Sequence, residues 1–78
     1  MKSDEVSKTV KKLVAGFKDL RLEQGISHET LAEKSGLTRQ AISRIESGER
    51  VPSIASCLKI SKGLGISLQK MLDKVERS

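Results

Sequence analysis

Aromatic side chains are almost missing from this sequence: Phe17 is the only one in 78 residues, with no Trp and no Tyr. That counts against single-stranded nucleic acid as a ligand, because its binders commonly stack bases on aromatic rings. It also makes any core aliphatic. The one cysteine, Cys57, excludes an internal disulfide and reads as a small buried hydrophobe. Together with the one histidine, His28, it falls short of the four ligands of a structural zinc site. No metal or other cofactor is expected, and a reduced, cytoplasmic setting fits. Apolar runs are only three or four residues long, far short of the roughly 20 needed to span a bilayer. The N-terminus lacks the apolar centre of a signal peptide, so no membrane partner is expected. Strand-type alternation and glycine-rich phosphate loops are absent as well. There is one His, one Cys and no Tyr, and no histidine–cysteine or paired-carboxylate constellation recurs at a helical spacing that would converge on a pocket. Catalysis is therefore not expected, nor is a small-molecule ligand.

What remains is a short, charged, helical chain. Fifteen Lys and Arg face ten Asp and Glu, a net charge of +5. A basic balance permits attraction to phosphate without proving it. The length suits one domain near the lower limit for folding alone, where association is a plausible source of extra burial.

The most informative stretch is Ser27 to Gly48, SHETLAEKSGLTRQAISRIESG. It predicts two short helices joined by a tight turn. Ser27 and Thr38 stand at N-cap positions, where a hydroxyl accepts from an unpaired backbone N–H. Apolar pairs bracket each cap, Ile26 with Leu31 and Leu37 with Ile42, as in hydrophobic staples. Gly36 falls where the first helix must stop and reverse. On the second helix, Ala41, Ile42 and Ile45 share one side, while Arg39, Gln40, Ser43 and Arg44 share the other. Arg matches guanine O6 and N7, and Gln matches adenine N6 and N7. The plain alternative for that face is ordinary solvation.

Elsewhere, Val6, Val10, Leu13, Val14, Phe17 and Leu20 form the apolar stripe of a long first helix. Asp4 and Glu5 suit its first turn, Met1–Ser3 should fray, and Gly25 should close it. Lys8, Lys11, Lys12 and Lys18 lie opposite the stripe. Pro52 and Ser53 open a fourth helix to about Gly63, apolar over most of its circumference through Ile54, Cys57, Leu58 and Ile60. Small residues there, including Ser61 and Gly63, would allow close helix approach. Ser67 caps a fifth helix with Leu68, Met71, Leu72 and Val75 on one side.

Ala32, Gly36 and Ile42 occupy the positions that the helix-turn-helix signature keeps small, glycine and β-branched. From about Phe17 to Leu72 the chain resembles the Cro and lambda-repressor-like (XRE-type) DNA-binding domain. The resemblance is carried by Arg21 to Gly25, Leu31-Ala32, Ile42 to Glu46 with Gly48, Pro52-Ser53, Leu64 to Ser67, and Met71-Leu72. It implies an all-α, five-helix, single-domain protein over residues 1–78. Helices two and three would form the helix-turn-helix, within a family-like core of about 10–76 and behind an N-terminal extension at 4–9. It further implies a sequence-specific regulator of double-stranded DNA, of repressor or controller type, resembling small stand-alone members such as restriction–modification controllers and prophage repressors. Arg39, Gln40, Ser43 and Arg44 would meet bases; Ser27, His28, Thr38, Ser47, Arg50 and Ser53 would meet phosphates. Arg21 would pair with Glu46 as structural support. His28 stands where the family very often has a glutamine that braces the recognition helix and contacts a phosphate. This departure leaves the brace open while keeping the docking. Glu49 replaces a position that is often basic. A two-fold homodimer on an inverted repeat is expected, with Met71, Leu72 and Val75 as interface candidates. The alternative is an antitoxin-like module that uses the same fold to hold a protein partner.

Overall fold

The computed structural model describes residues 3–77. Those residues form five helices: α1 (Ser3–Glu23), α2 (His28–Ser35), α3 (Arg39–Ser47), α4 (Ile54–Leu64) and α5 (Leu68–Glu76). The all-α, five-helix architecture is the expected one. The fraying expected at Met1–Ser3 falls outside the described residues except at Ser3, which already opens α1.

Each helix after the first begins on a hydroxyl cap. Ser27, Thr38, Ser53 and Ser67 are extended, and their side chains accept from the backbone N–H of Thr30, Ala41, Ser56 and Lys70. Each such cap contributes about 1 kcal/mol. The staple residues Ile26, Leu37 and Ile66 pack against the core from just outside these caps. The turn between α2 and α3 depends on Gly36. Its φ of 72° lies in the left-handed region, and its N–H donates to the Ala32 carbonyl at 2.9 Å.

The core gathers one face from every helix. Leu13 and Phe17 come from α1, Leu31 and Ala32 from α2, and Ile42 and Ile45 from α3. Cys57, Ile60 and Leu64 come from α4, and Met71 and Val75 from α5. α2 lies along α4, while α5 returns against α1. The return is close because of Gly16: a Cβ there would stand 2.6 Å from Met71 Cε and 2.8 Å from Val75 Cγ1. Met71 and Val75 are accordingly spent on this chain's own core, being only 1% and 7% exposed. Of the three residues expected at a dimer interface, Leu72 alone keeps part of its surface.

Two further expectations change. α4 was expected to be apolar nearly all round, but only one side of it meets the rest of the chain. Cys57, Ile60 and Leu64 are buried, whereas Ile54 is 71% exposed and Leu58 54% exposed. The stripe of α1 is buried at Leu13 and Phe17, half-buried at Val10, Val14 and Leu20, and exposed at Val6. The final helix does not cover that end.

Replacing Gly36 with Ala should cost about 1–2 kcal/mol, since the left-handed region penalises a Cβ by that amount. The check is the urea midpoint of the variant; an unshifted midpoint would show that the turn tolerates a side chain.

Candidate nucleic-acid interface

α3 is anchored by aliphatic burial on one side. Ile42 and Ile45 are 1% and 2% exposed, and Thr38 accepts from Ala41 N at 3.1 Å. These contacts leave the opposite side to solvent: Arg39, Gln40, Ser43 and Arg44 are all exposed. The side chains predicted to meet bases thus share one outward face of a nine-residue helix with no acidic residue in its first turn.

Beneath that helix lies a polar cluster. The Arg21 guanidinium of α1 donates twice to the Glu46 carboxylate of α3, Nε to Oε2 at 2.7 Å and Nη2 to Oε1 at 3.0 Å. Its remaining fork nitrogen, Nη1, donates to the Ile26 carbonyl at 2.8 Å. The two side chains are 9% and 7% exposed. The imidazole of His28, the first residue of α2, approaches the same carboxylate, Nε2 to Oε1 at 3.0 Å. The brace left open by the sequence is therefore present, made by a histidine. Burial favours the neutral form of Glu46, but the hydrogen bonds and charge of Arg21 and His28 outweigh it and hold the carboxyl below its ordinary value. The bond to Glu46, against a smaller opposing effect of burial, raises Arg21. Cys57 lies apart from all this, its thiol pushed up by burial.

The candidate phosphate contacts surround α3. Arg50 is exposed, and its N–H donates to the Arg44 carbonyl at 3.2 Å, which folds the following loop back on the helix end. Ser27, Thr38, Ser47 and Ser53 are exposed, but their hydroxyls are not equally free. Ser47 donates to the Arg44 carbonyl at 3.1 Å. Ser27 and Ser53 each bond the hydroxyl three residues on, Thr30 and Ser56, also at 3.1 Å. Thr38 accepts from Ala41 N and donates to no acceptor among the described residues, so its proton is available to a ligand oxygen. Glu49 is exposed beside Arg50 and opposite to it in charge.

Sequence reasoning missed three features. The first is the His28–Glu46 bond, which joins residues 18 apart in the chain. The second is Gln24 Nε2 donating to the Leu64 carbonyl at 2.7 Å, which ties the end of α1 to the end of α4. The third is the exposed row Val51, Ile54 and Leu58, whose spacing was visible in the sequence but fits a buried face equally well. No group of three or more His, Cys, Asp or Glu stands ready to hold a metal among the described residues.

An outward donor-rich helix, held by a buried ion pair on a helical platform behind a glycine turn, defines a helix-turn-helix protein. The helix-turn-helix family profile matches residues 17–71, and the chain belongs to that family. It is a DNA-binding transcriptional regulator and not an enzyme. Among its relatives, the uncharacterized HTH-type transcriptional regulator YgzD of Bacillus subtilis (strain 168) is 42% identical over 52 residues, which is 67% of this chain and 79% of YgzD. The control protein C.MunI of Mycoplasma sp is 39% identical over 62 residues, 78% of this chain and 84% of that protein. The crystal structure of the restriction–modification controller protein C.Esp1396I superposes with a TM-score of 0.77 at 39% identity, covering 88% of this chain and 94% of that one.

Removing Arg21 alone (Arg21→Ala) would strand a buried carboxylate and should cost about 3–5 kcal/mol. Replacing both members, Arg21→Met with Glu46→Leu, should cost far less, and chemical denaturation of the two variants checks this. Because Glu46 is lowered in the folded state, its contribution is complete above the ordinary value of about 4.5 and is lost as pH falls towards the lowered one. Wild-type stability should therefore drop on acidification through that window. Glu46→Gln, weaker at neutral pH, should show a shallower drop.

Proposed function

We propose that this protein binds double-stranded DNA with α3 in the major groove, as a two-fold dimer on an inverted repeat, in the manner of a repressor or controller. The observation that carries the reading is the exposed row of Arg39, Gln40, Ser43 and Arg44 on a helix whose other side is locked into the core. Arg39 and Gln40 stand in the first turn, nearest the bases, and Ser43 and Arg44 follow one turn later. Thr38, with its uncommitted hydroxyl proton, and Arg50 grip phosphates at either end of α3. Ser27, His28, Ser47 and Ser53 complete the rim. The net charge of +5 supplies general attraction to the duplex. The likeness to C.MunI and C.Esp1396I favours the controller type.

One short helix touches too few bases for high specificity, so two copies should bind half-sites about 34 Å apart, one turn of DNA. With Met71 and Val75 committed to the monomer, the dimer contact shifts to what the structure leaves bare. Val51, Ile54 and Leu58 are 76%, 71% and 54% exposed. Ile54 and Leu58, four residues apart, share the outer side of α4, Val51 precedes them in the loop before its cap, and half-buried Leu72 of α5 extends the choice. A second copy of this chain would cover such a row. A cytoplasmic location follows from this role.

The direct test is a mobility shift on duplexes selected from a random pool. Arg39→Ala with Arg44→Ala should abolish binding. Gln40→Ala should relax base preference at one position, at a cost of about 1–3 kcal/mol, while Arg50→Ala should weaken all sequences alike and lower the salt slope by about one. Uniform loss in both single variants would refute the division between reading and gripping residues. Sedimentation of Leu58→Glu should give a monomer in place of the wild-type dimer. A variant that stayed dimeric would remove α4 from the interface.

A further inference from the structure

The cluster under α3 carries a consequence for the chemistry of DNA binding, resting on the reading just given. Glu46 is an ionised, buried carboxylate, and an ionised carboxylate only accepts hydrogen bonds. Two of its three neighbouring donor atoms belong to Arg21; the third is His28 Nε2 at 3.0 Å, which must therefore carry a proton. In a neutral imidazole with Nε2 protonated, Nδ1 bears a lone pair and no proton. Nδ1 has no hydrogen-bond partner among the described residues, and the ring is 35% exposed. A phosphate oxygen is also an acceptor. Neutral His28, its tautomer fixed by Glu46, thus presents lone pair to lone pair and repels the group it is placed to grip. Protonated His28 donates from both nitrogens, one bond to Glu46 and one outward.

We propose that His28 couples DNA binding to proton uptake: one proton moves from solvent to Nδ1 as the imidazolium bridges Glu46 to a backbone phosphate. The bridge ties grip to reading, since Glu46 belongs to the helix that presents Arg39, Gln40, Ser43 and Arg44. The charged groups facing the ring come from two elements. Glu46 of α3 touches it, and Arg21 of α1 lies on the far side of the same carboxylate. On its own helix, neighbouring Glu29 is exposed. The basic groups of α4, Lys59 and Lys62, are exposed and make no ion pair or hydrogen bond with the ring. His28 is the only histidine, and histidine is the side chain that ordinarily changes charge between about pH 5 and 8. Affinity should therefore fall as pH rises through that range.

The probe is a duplex recovered by selection from a random pool, titrated with the full chain by fluorescence anisotropy. Wild-type affinity should fall about fivefold to tenfold between pH 6 and 8, the size of one charge-assisted contact. The slope of log K against log salt should be steeper by about one at pH 6, as one further phosphate is neutralised. His28→Gln, whose amide can still donate to Glu46, should bind with an affinity and a slope that do not change with pH. Calorimetry of the wild type in two buffers of different ionisation enthalpy reads the proton directly, even if the variant fails to fold. Uptake peaking at about half a proton within that pH range, as a change in affinity of this size requires, supports the bridge. Zero uptake, or matching pH profiles for wild type and His28→Gln, overturns it while leaving DNA binding intact. Absence of binding at every pH would sink both.

Discussion

Three helices meet at one carboxylate. Glu46 sits on the last turn of α3, and its two oxygens receive Arg21 from α1 and His28 from α2. Aliphatic packing of Ile42 and Ile45 can hold a short rod against a platform, but it is non-directional and leaves rotation about the rod's axis weakly defined. A bidentate guanidinium–carboxylate pair is directional, since both bonds form in only one mutual orientation. Arg21 also holds the Ile26 carbonyl, so the same side chain sets the entry to α2. The cluster therefore fixes how α3 is turned, and with it where the outward residues point.

That constraint separates the molecule into parts with different duties. The core is aliphatic apart from Phe17, Cys57 and Met71, and it spends the apolar face of each helix, including α5. The outer face of α3 is left with polar donors alone. The rim around it is built from helix caps and the loop after α3, where hydroxyls serve first as caps. Their availability to a ligand is graded by what they already bond: Thr38 has a proton to give, whereas Ser47 has given its own to Arg44. The apolar surface that the fold does not consume sits elsewhere, at Val51, Ile54 and Leu58. The polar outer face of α3 and the exposed apolar row thus occupy separate surfaces.

Much of this was legible from local rules. The caps at Ser27, Thr38 and Ser67 and the left-handed turn at Gly36 are properties of a few adjacent residues, and each was found where its residue type placed it. The polar face of α3 follows from helical periodicity. The Arg21–Glu46 pair came from family resemblance, since nothing in the spacing of residues 25 apart reveals a bond. Where the reading went astray, the missing information was which side of a helix has a neighbour. Ile54 and Leu58 look like core in one dimension, and Met71 and Val75 look free to associate. Only the close return of α5 over Gly16, and the one-sided contact of α4, reverse those assignments.

The sequence by itself determined where helices start, stop and turn, and which face of α3 is polar, because capping, glycine conformation and helical period act over three or four residues. Tertiary structure alone decided that His28 bonds Glu46, that Gln24 reaches the Leu64 carbonyl, and which apolar residues remain on the surface. Those outcomes depend on how helices distant in the chain are brought side by side, and no local pattern encodes the angle at which they meet.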